Sequence, residues 1–133
     1  MLIATLTVPN RVEFVRPATI FLVHTARALD VPAAETPVFE VAISEAITNA
    51  VRHGGGTTMT CEVEIEGRMF TVRVIDGGEG FRLPPVALPD VSRDKIENVP
   101  ASGYGLPIIK TVFPTVRVIE IEGRFGVELG LSY

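Results

Sequence analysis

The run Ser44-Glu45-Ala46-Ile47-Thr48-Asn49-Ala50-Val51-Arg52-His53 lies between a start signal, Thr36-Pro37, and a stop signal, Gly54-Gly55-Gly56. Thr36 suits the cap position and Pro37 the first helical position, where its missing N–H costs nothing. The spacing therefore predicts a helix over 37–53, ended by the glycines. Setting Glu45 at zero and using about 100° per residue, Asn49 falls at about 40° and Arg52 at about −20°. Ile43, Ala46, Ile47 and Ala50 occupy the opposite arc and are expected to face a sheet, leaving Glu45, Asn49 and Arg52 along one side.

Before this helix, Leu2 to Val8 reads as a short strand. Asn10 followed by Glu13 has the form of a capping box. Helical periodicity then runs from about Arg11 to Leu29, with Phe14, Ala18, Phe21, Leu22, Ala26 and Leu29 apolar. Pro17 conflicts with that run. It either kinks the helix or stands in its true first turn.

The second half reads as β. Met59, Cys61, Val63 and Ile65 alternate with Thr60, Glu62, Glu64 and Glu66, the pattern of a half-buried antiparallel strand. After a turn at Glu66-Gly67-Arg68, a return strand over 69–76 places Phe70, Val72 and Val74 on one face. Residues 81–101 contain Pro84, Pro85, Pro89 and Pro100 and little periodicity, as in a functional loop. A short helix is expected over 105–113, stopped by Pro114, followed by a strand over 115–122. The apolar phase of that strand slips between Val118 and Ile119, which points to a bulge. After a turn at Gly123-Arg124-Phe125-Gly126, the last strand alternates Val127, Leu129, Leu131 and Tyr133 inward with Glu128, Gly130 and Ser132 outward. The sum is a single α/β (α+β) domain over 1–133, a two-layer sandwich with a mainly antiparallel mixed sheet and helices on one face.

Composition narrows the function classes. With 133 residues, 47% of them hydrophobic, the chain can bury a real core. A net charge of −4 and a pI near 5.2 lack the basic footprint of direct nucleic-acid binding. The lone Cys61 sits in an apolar strand pattern, as expected of a reduced thiol in a cytoplasmic protein. The apolar start, Met1 to Val8, is too short for a signal peptide or a membrane span, so no membrane partner is expected.

Three segments can carry chemistry. An Asn side-chain oxygen is a neutral hard ligand suited to Mg²⁺ that also holds phosphates, and a Glu one turn earlier can accept a hydroxyl proton. Taken alone, the Glu45–Asn49 pair fits a solvated helix face better than a site. Asp76 follows Val74 on the same strand face, so its carboxylate points to the buried side and needs donors. The exocyclic amine of adenine is one such donor, and it would favour A over G. Gly77, Gly78 and Gly80 would let a base or ribose approach the backbone closely. An ordinary polar turn accounts for that segment equally well. Ser102-Gly103-Tyr104-Gly105, before the short helix, would offer backbone N–H groups to phosphates, or is a plain glycine-rich helix start. No G-x-x-x-x-G-K-[ST] is present, since Ile109 precedes Lys110-Thr111, and Gly78-x-Gly80 leads into a proline-rich loop rather than a helix.

Glu45–His53, Asp76–Phe81 and Gly103–Ile109, in that order, resemble the N box and two glycine boxes of the histidine-kinase-like (GHKL) ATPases. Their spacing resembles one branch, the bacterial anti-sigma-factor serine/threonine-protein kinases, over nearly the whole chain. The resemblance implies a Bergerat-type ATP-binding fold with ATP and Mg²⁺ as cofactors. It implies that Asn49 holds Mg²⁺, that Glu45 is the general base toward a partner serine, and that Asp76 binds the adenine amine. Gly78 and Gly80 would shape the base pocket. Gly103 and Gly105, with Leu106 after them, would hold phosphates, and Arg52 would border the nucleotide. Residues from about 82 to 102 would form an ATP lid from which Arg93 or Lys95 reaches the γ-phosphate. Arg16 matches a partner-contact position. The implied partners are a sigma factor, a STAS-type anti-sigma-factor antagonist, and a second copy of the chain in a homodimer. Two departures weaken the match. Arg124-Phe125-Gly126 stands where the family often has Gly-Thr, and Pro114 where it often has Asp. Two rival readings follow: a nucleotide-gated binding module without kinase activity, and a detached histidine-kinase ATP-binding domain. His24, alone on its helix, offers the latter no dimerisation hairpin.

Overall fold

The computed structural model describes residues 1–76 and 106–133, with only the backbone at Leu106. Five strands form one sheet in the order β1-β2-β3-β5-β4, where β1 is Leu2–Pro9, β2 Thr58–Glu66, β3 Met69–Asp76, β4 Thr115–Ile121 and β5 Arg124–Ser132. All four pairings are antiparallel. Helices α1 (Val15–Ala28), α2 (Pro37–His53) and α3 (Leu106–Val112) cover one face. The expected two-layer fold is the observed one.

Helix α2 begins and ends at the anticipated residues, and Ile43, Ala46, Ile47 and Ala50 are all buried. Its caps work differently from expectation. The Thr36 hydroxyl donates to the Ala33 carbonyl at 2.7 Å and does not cap the helix, because a 3-10 turn over Pro32–Glu35 leads into it. Gly54 is not left-handed; its backbone is extended, with φ −78°. Glycine is needed there for space, since a Cβ would stand 2.5 Å from the Ala50 carbonyl oxygen.

Pro17 lies in the first turn of α1, after a 3-10 turn at Val12–Phe14. The first four N–H groups of a helix have no intrahelical acceptor, so its missing donor costs nothing there. The capping box does not form. Arg11 pairs with Glu13 at 2.8 Å, and the Asn10 backbone N–H extends the sheet edge by donating to Thr57 O at 3.0 Å.

The core between sheet and helices centres on α2. Phe39 packs against Phe70 of β3, centroids 6.3 Å apart, and against Phe113 after α3, at 5.5 Å. All three rings are fully buried, so Pro114 stops α3 where its last aromatic must turn inward. Met59, Cys61, Val63, Val72, Val74, Val127 and Leu129 complete the sheet's inner face.

The opposite face adds to one expectation and corrects another. Glu128 points away from the helices, as anticipated, yet is only 7% exposed. Arg73 holds it at 2.8 Å and also reaches Glu64 at 2.6 Å, while Arg117 pairs with its other oxygen. Burial alone would lower the Arg73 pKa; hydrogen bonds to Glu64 and Glu128 outweigh that and the net shift is upward. No bulge interrupts β4, whose register against β5 is continuous from Thr115 to Ile121. The phase slip has another cause. Val116 and Val118 pair with the inward Leu129 and Val127, whereas Ile119 sits over Gly126 on the outer face of an edge strand. The register irregularity lies in β1, between Leu2 and Ala4. The β4–β5 turn is Glu122-Gly123, with φ 53° and 78°, so Arg124-Phe125-Gly126 belongs to β5 rather than to the turn.

Replacing Phe39 with Ala should lower unfolding stability by about 3–5 kcal/mol in urea denaturation. A loss under about 1 kcal/mol would show that the aromatic trio does not organise the core. Burial pushes the Cys61 thiol up to about 12, so it stays protonated across the neutral range. A disulfide probe at pH 8 should react with Cys61 only after denaturant is added; prompt labelling of the native protein would contradict this burial.

Candidate functional site

Asp76 ends β3 on the inner face, in phase with Phe70, Val72 and Val74, and is completely buried. Its carboxylate has left water and must be met by donors. Three come from the protein. Gly55 N–H donates to Oδ2 at 3.0 Å. Gly56 N–H is shared between Oδ1 at 3.0 Å and Oδ2 at 3.2 Å. Asn10 Nδ2 reaches Oδ1 at 3.3 Å and the Gly56 carbonyl at 3.3 Å. The end of β1, the segment after α2 and the end of β3 thus meet at one carboxylate. Gly54 lets them close, because a Cβ there would also stand 3.0 Å from Asp76 Cγ and 3.1 Å from Asn10 Nδ2.

Along α2, the three polar residues expected on one side differ in depth. Asn49 is 4% exposed, Glu45 half-buried and Arg52 exposed. The helix turns Asn49 partly toward the core, which places a carboxamide in a sheltered position and leaves the carboxylate one turn earlier nearer to solvent. Partial burial, then the neighbouring Arg52 charge, hold the His53 pKa below its ordinary value. Histidine at this helix end is therefore neutral near pH 7.

Between the first turns of α1 and α2 lies a cleft of about 410 Å³, lined by Arg16, Thr19, Glu40, Val41, Ser44 and Glu45. It brings Arg16 and Glu45 to one opening, although they are on different helices. Chemically the cleft offers a cation and two carboxylates at its rim, with hydroxyls between. His24, further along α1, is exposed.

The residues expected to hold a nucleotide fit one in chemistry. Asp76 is a buried acceptor, and Asn49 is a neutral oxygen ligand of the kind Mg²⁺ takes alongside phosphates. Among the described residues no three His, Cys, Asp or Glu side chains converge on a metal position. A metal here would depend on a ligand's own oxygens. Gly78, Gly80, Arg93, Lys95, Gly103, Gly105 and the lid from about 82 to 102 lie outside the described residues, as does the Leu106 side chain. Among the described residues no helix is long and apolar enough to cross a membrane.

Sequence reasoning missed Asn10 and the second task of Gly54-Gly55-Gly56. A signal for the glycines was available. A buried carboxylate at 76 requires donors, and a glycine run after a helix presents bare N–H groups.

A model of the histidine kinase-like ATPase domain matches residues 8–130. The chain is 31% identical to an anti-sigma F factor of Clostridium acetobutylicum over 113 residues, covering 80% of this chain and 76% of that protein. It is 27% identical to the serine-protein kinase RsbW of Oceanobacillus iheyensis over 132 residues, covering 94% of this chain and 82% of that one. The sensor histidine kinase LiaS of Bacillus subtilis is 29% identical over 86 residues, 62% of this chain but only 20% of that protein. The match spans nearly the whole chain and takes in α2, Asp76 and the Asp76 seat. This protein belongs to the histidine kinase-like ATPase family, in the anti-sigma-factor kinase branch that the first two relatives represent.

Proposed function

We propose that the protein is an anti-sigma factor that binds Mg-ATP, sequesters a sigma factor, and phosphorylates a serine on a STAS-type anti-sigma-factor antagonist. The observation that carries this reading is the cleft that Arg16 and Glu45 share. Arg16 would engage the antagonist, and Glu45 would stand where its serine enters. The relatives named anti-sigma F factor and serine-protein kinase support both halves of the role.

Each residue has a defined task in this reading. Asp76, held rigidly by its three donors, accepts from the adenine amine. Asn49 would ligate Mg²⁺, which when bound neutralises phosphate charge. Glu45 accepts the serine proton as the serine oxygen bonds to the γ-phosphorus and the bond to the bridging oxygen of ADP breaks. Little covalent chemistry is asked of the protein. Positioning and charge do the rest. Gly103 and Gly105 would hold phosphates through backbone N–H groups. Arg93 or Lys95 would reach the γ-phosphate, and Arg52 would border the nucleotide.

The test is transfer of a labelled γ-phosphate from Mg-ATP to a STAS-type antagonist. Wild type should label it. Glu45→Ala should lower transfer by about 10²–10⁴-fold while ATP affinity stays within about threefold. Absence of labelling by wild type rules out the kinase and leaves a nucleotide-gated binding module. Loss of ATP binding in Glu45→Ala makes Glu45 structural. In calorimetry, Asp76→Asn should weaken ATP by about tenfold or more and erase its preference over GTP. An unchanged preference would remove Asp76 from base recognition.

A further inference from the structure

Asn10 carries an unusual imbalance. Its Nδ2 is turned to two acceptors, Asp76 Oδ1 and the Gly56 carbonyl, each at 3.3 Å. That fixes the orientation of the carboxamide, since a flip would set an oxygen against both. The other end, Asn10 Oδ1, is buried and has no hydrogen-bond partner, the one such side-chain atom among the described residues. A buried acceptor without a donor is costly and calls for an explanation.

Its neighbour, the Asp76 carboxylate, is an acceptor as well. An ionised carboxylate has about four lone-pair positions. Among the described residues Asp76 receives three donors, Gly55 N–H, Gly56 N–H and Asn10 Nδ2, with Gly56 N–H shared between both oxygens, so three hydrogens serve four positions. The unfilled acceptor, Asn10 Oδ1, therefore belongs to the same carboxamide that touches this carboxylate. An –NH₂ group brings two N–H bonds, one for each of these acceptors. A ring carbonyl in the same place would face two oxygens and be repelled.

Resting on the reading of Asp76 as the base-binding carboxylate, we propose that Asn10 is a second specificity-determining residue of the nucleotide pocket, whose Oδ1 accepts the other N–H of the exocyclic amine. Discrimination between a 6-amino and a 6-oxo purine then comes from two acceptors. One lies at the end of β1 and the other at the end of β3. Asn10 also positions Asp76, because the same carboxamide holds the carboxylate with its other end.

Calorimetry on the full chain with ATP and N6-methyl-ATP separates these roles, using wild type and Asn10→Ala. One methyl group removes one N–H. In wild type it should weaken binding by about tenfold or more. In Asn10→Ala, where the second acceptor is gone and space has opened, the methyl penalty should shrink below about threefold. An equal penalty in both proteins overturns the proposal and leaves Asn10 a structural residue. Should Asn10→Ala fold poorly, wild type alone decides through a third ligand, N6,N6-dimethyl-ATP. Two acceptors predict a loss at each methylation step, and a first methyl tolerated without loss overturns the proposal. If wild type binds ATP but the penalties do not couple, only the Asn10 assignment falls. If it binds no ATP, the Asp76 reading falls and takes this one with it.

Discussion

A carboxylate removed from water must be surrounded by donors, and at Asp76 these come from parts of the chain far apart in sequence. Asn10 is 66 residues away; Gly55 and Gly56 are 21 and 20. None of the three bonds exists unless β1 has paired with β2, β2 with β3, and α2 has docked on them. The seat also explains why α2 stops where it does. Gly54 must pass within contact distance of the Ala50 carbonyl, Asp76 and Asn10 at once, and only a residue without a side chain can do so.

The same helix links this seat to the second half of the site. Its buried arc, Phe39 through Ala50, is clamped by the sheet and by Phe113. Its polar arc runs from Glu40 and Glu45 at the cleft with α1 down to Asn49 and the glycines under Asp76. A nucleotide held at one end and a protein partner met at the other would be joined by one rigid element. Rigidity of this kind suits a reaction that depends on positioning more than on strong acids or bases.

Local signals were legible. Thr36-Pro37 and the glycine run bounded α2 correctly, and strict alternation placed Asp76 on the inner face of β3. The core arc of α2 followed from its spacing. What escaped was whatever depended on contacts across the sheet. Asn10 has the local signature of a cap, but its partner is Asp76, so no window around residue 10 could reveal it. Alternation placed Glu128 on the outer face, but it records direction only and says nothing of Arg73 and Arg117 closing over it. The Val118–Ile119 slip imitated a bulge because an edge strand carries apolar residues on both faces.

The row of charges across the outer face has a consequence for how the sheet finds its pairing. Alternation of apolar and polar residues forbids a strand from sliding by one position, because every side chain would change faces. It does not forbid sliding by two, which keeps inside inside. Arg73 opposite Glu128, and Glu128 opposite Arg117, supply the missing constraint. A two-residue slide of β5 along β3 would set Glu128 against Thr71 or Ile75 and leave Arg73 with Glu64 alone. The outer face thus works as a parity check on the inner one, rejecting the misalignments that hydrophobicity alone would accept.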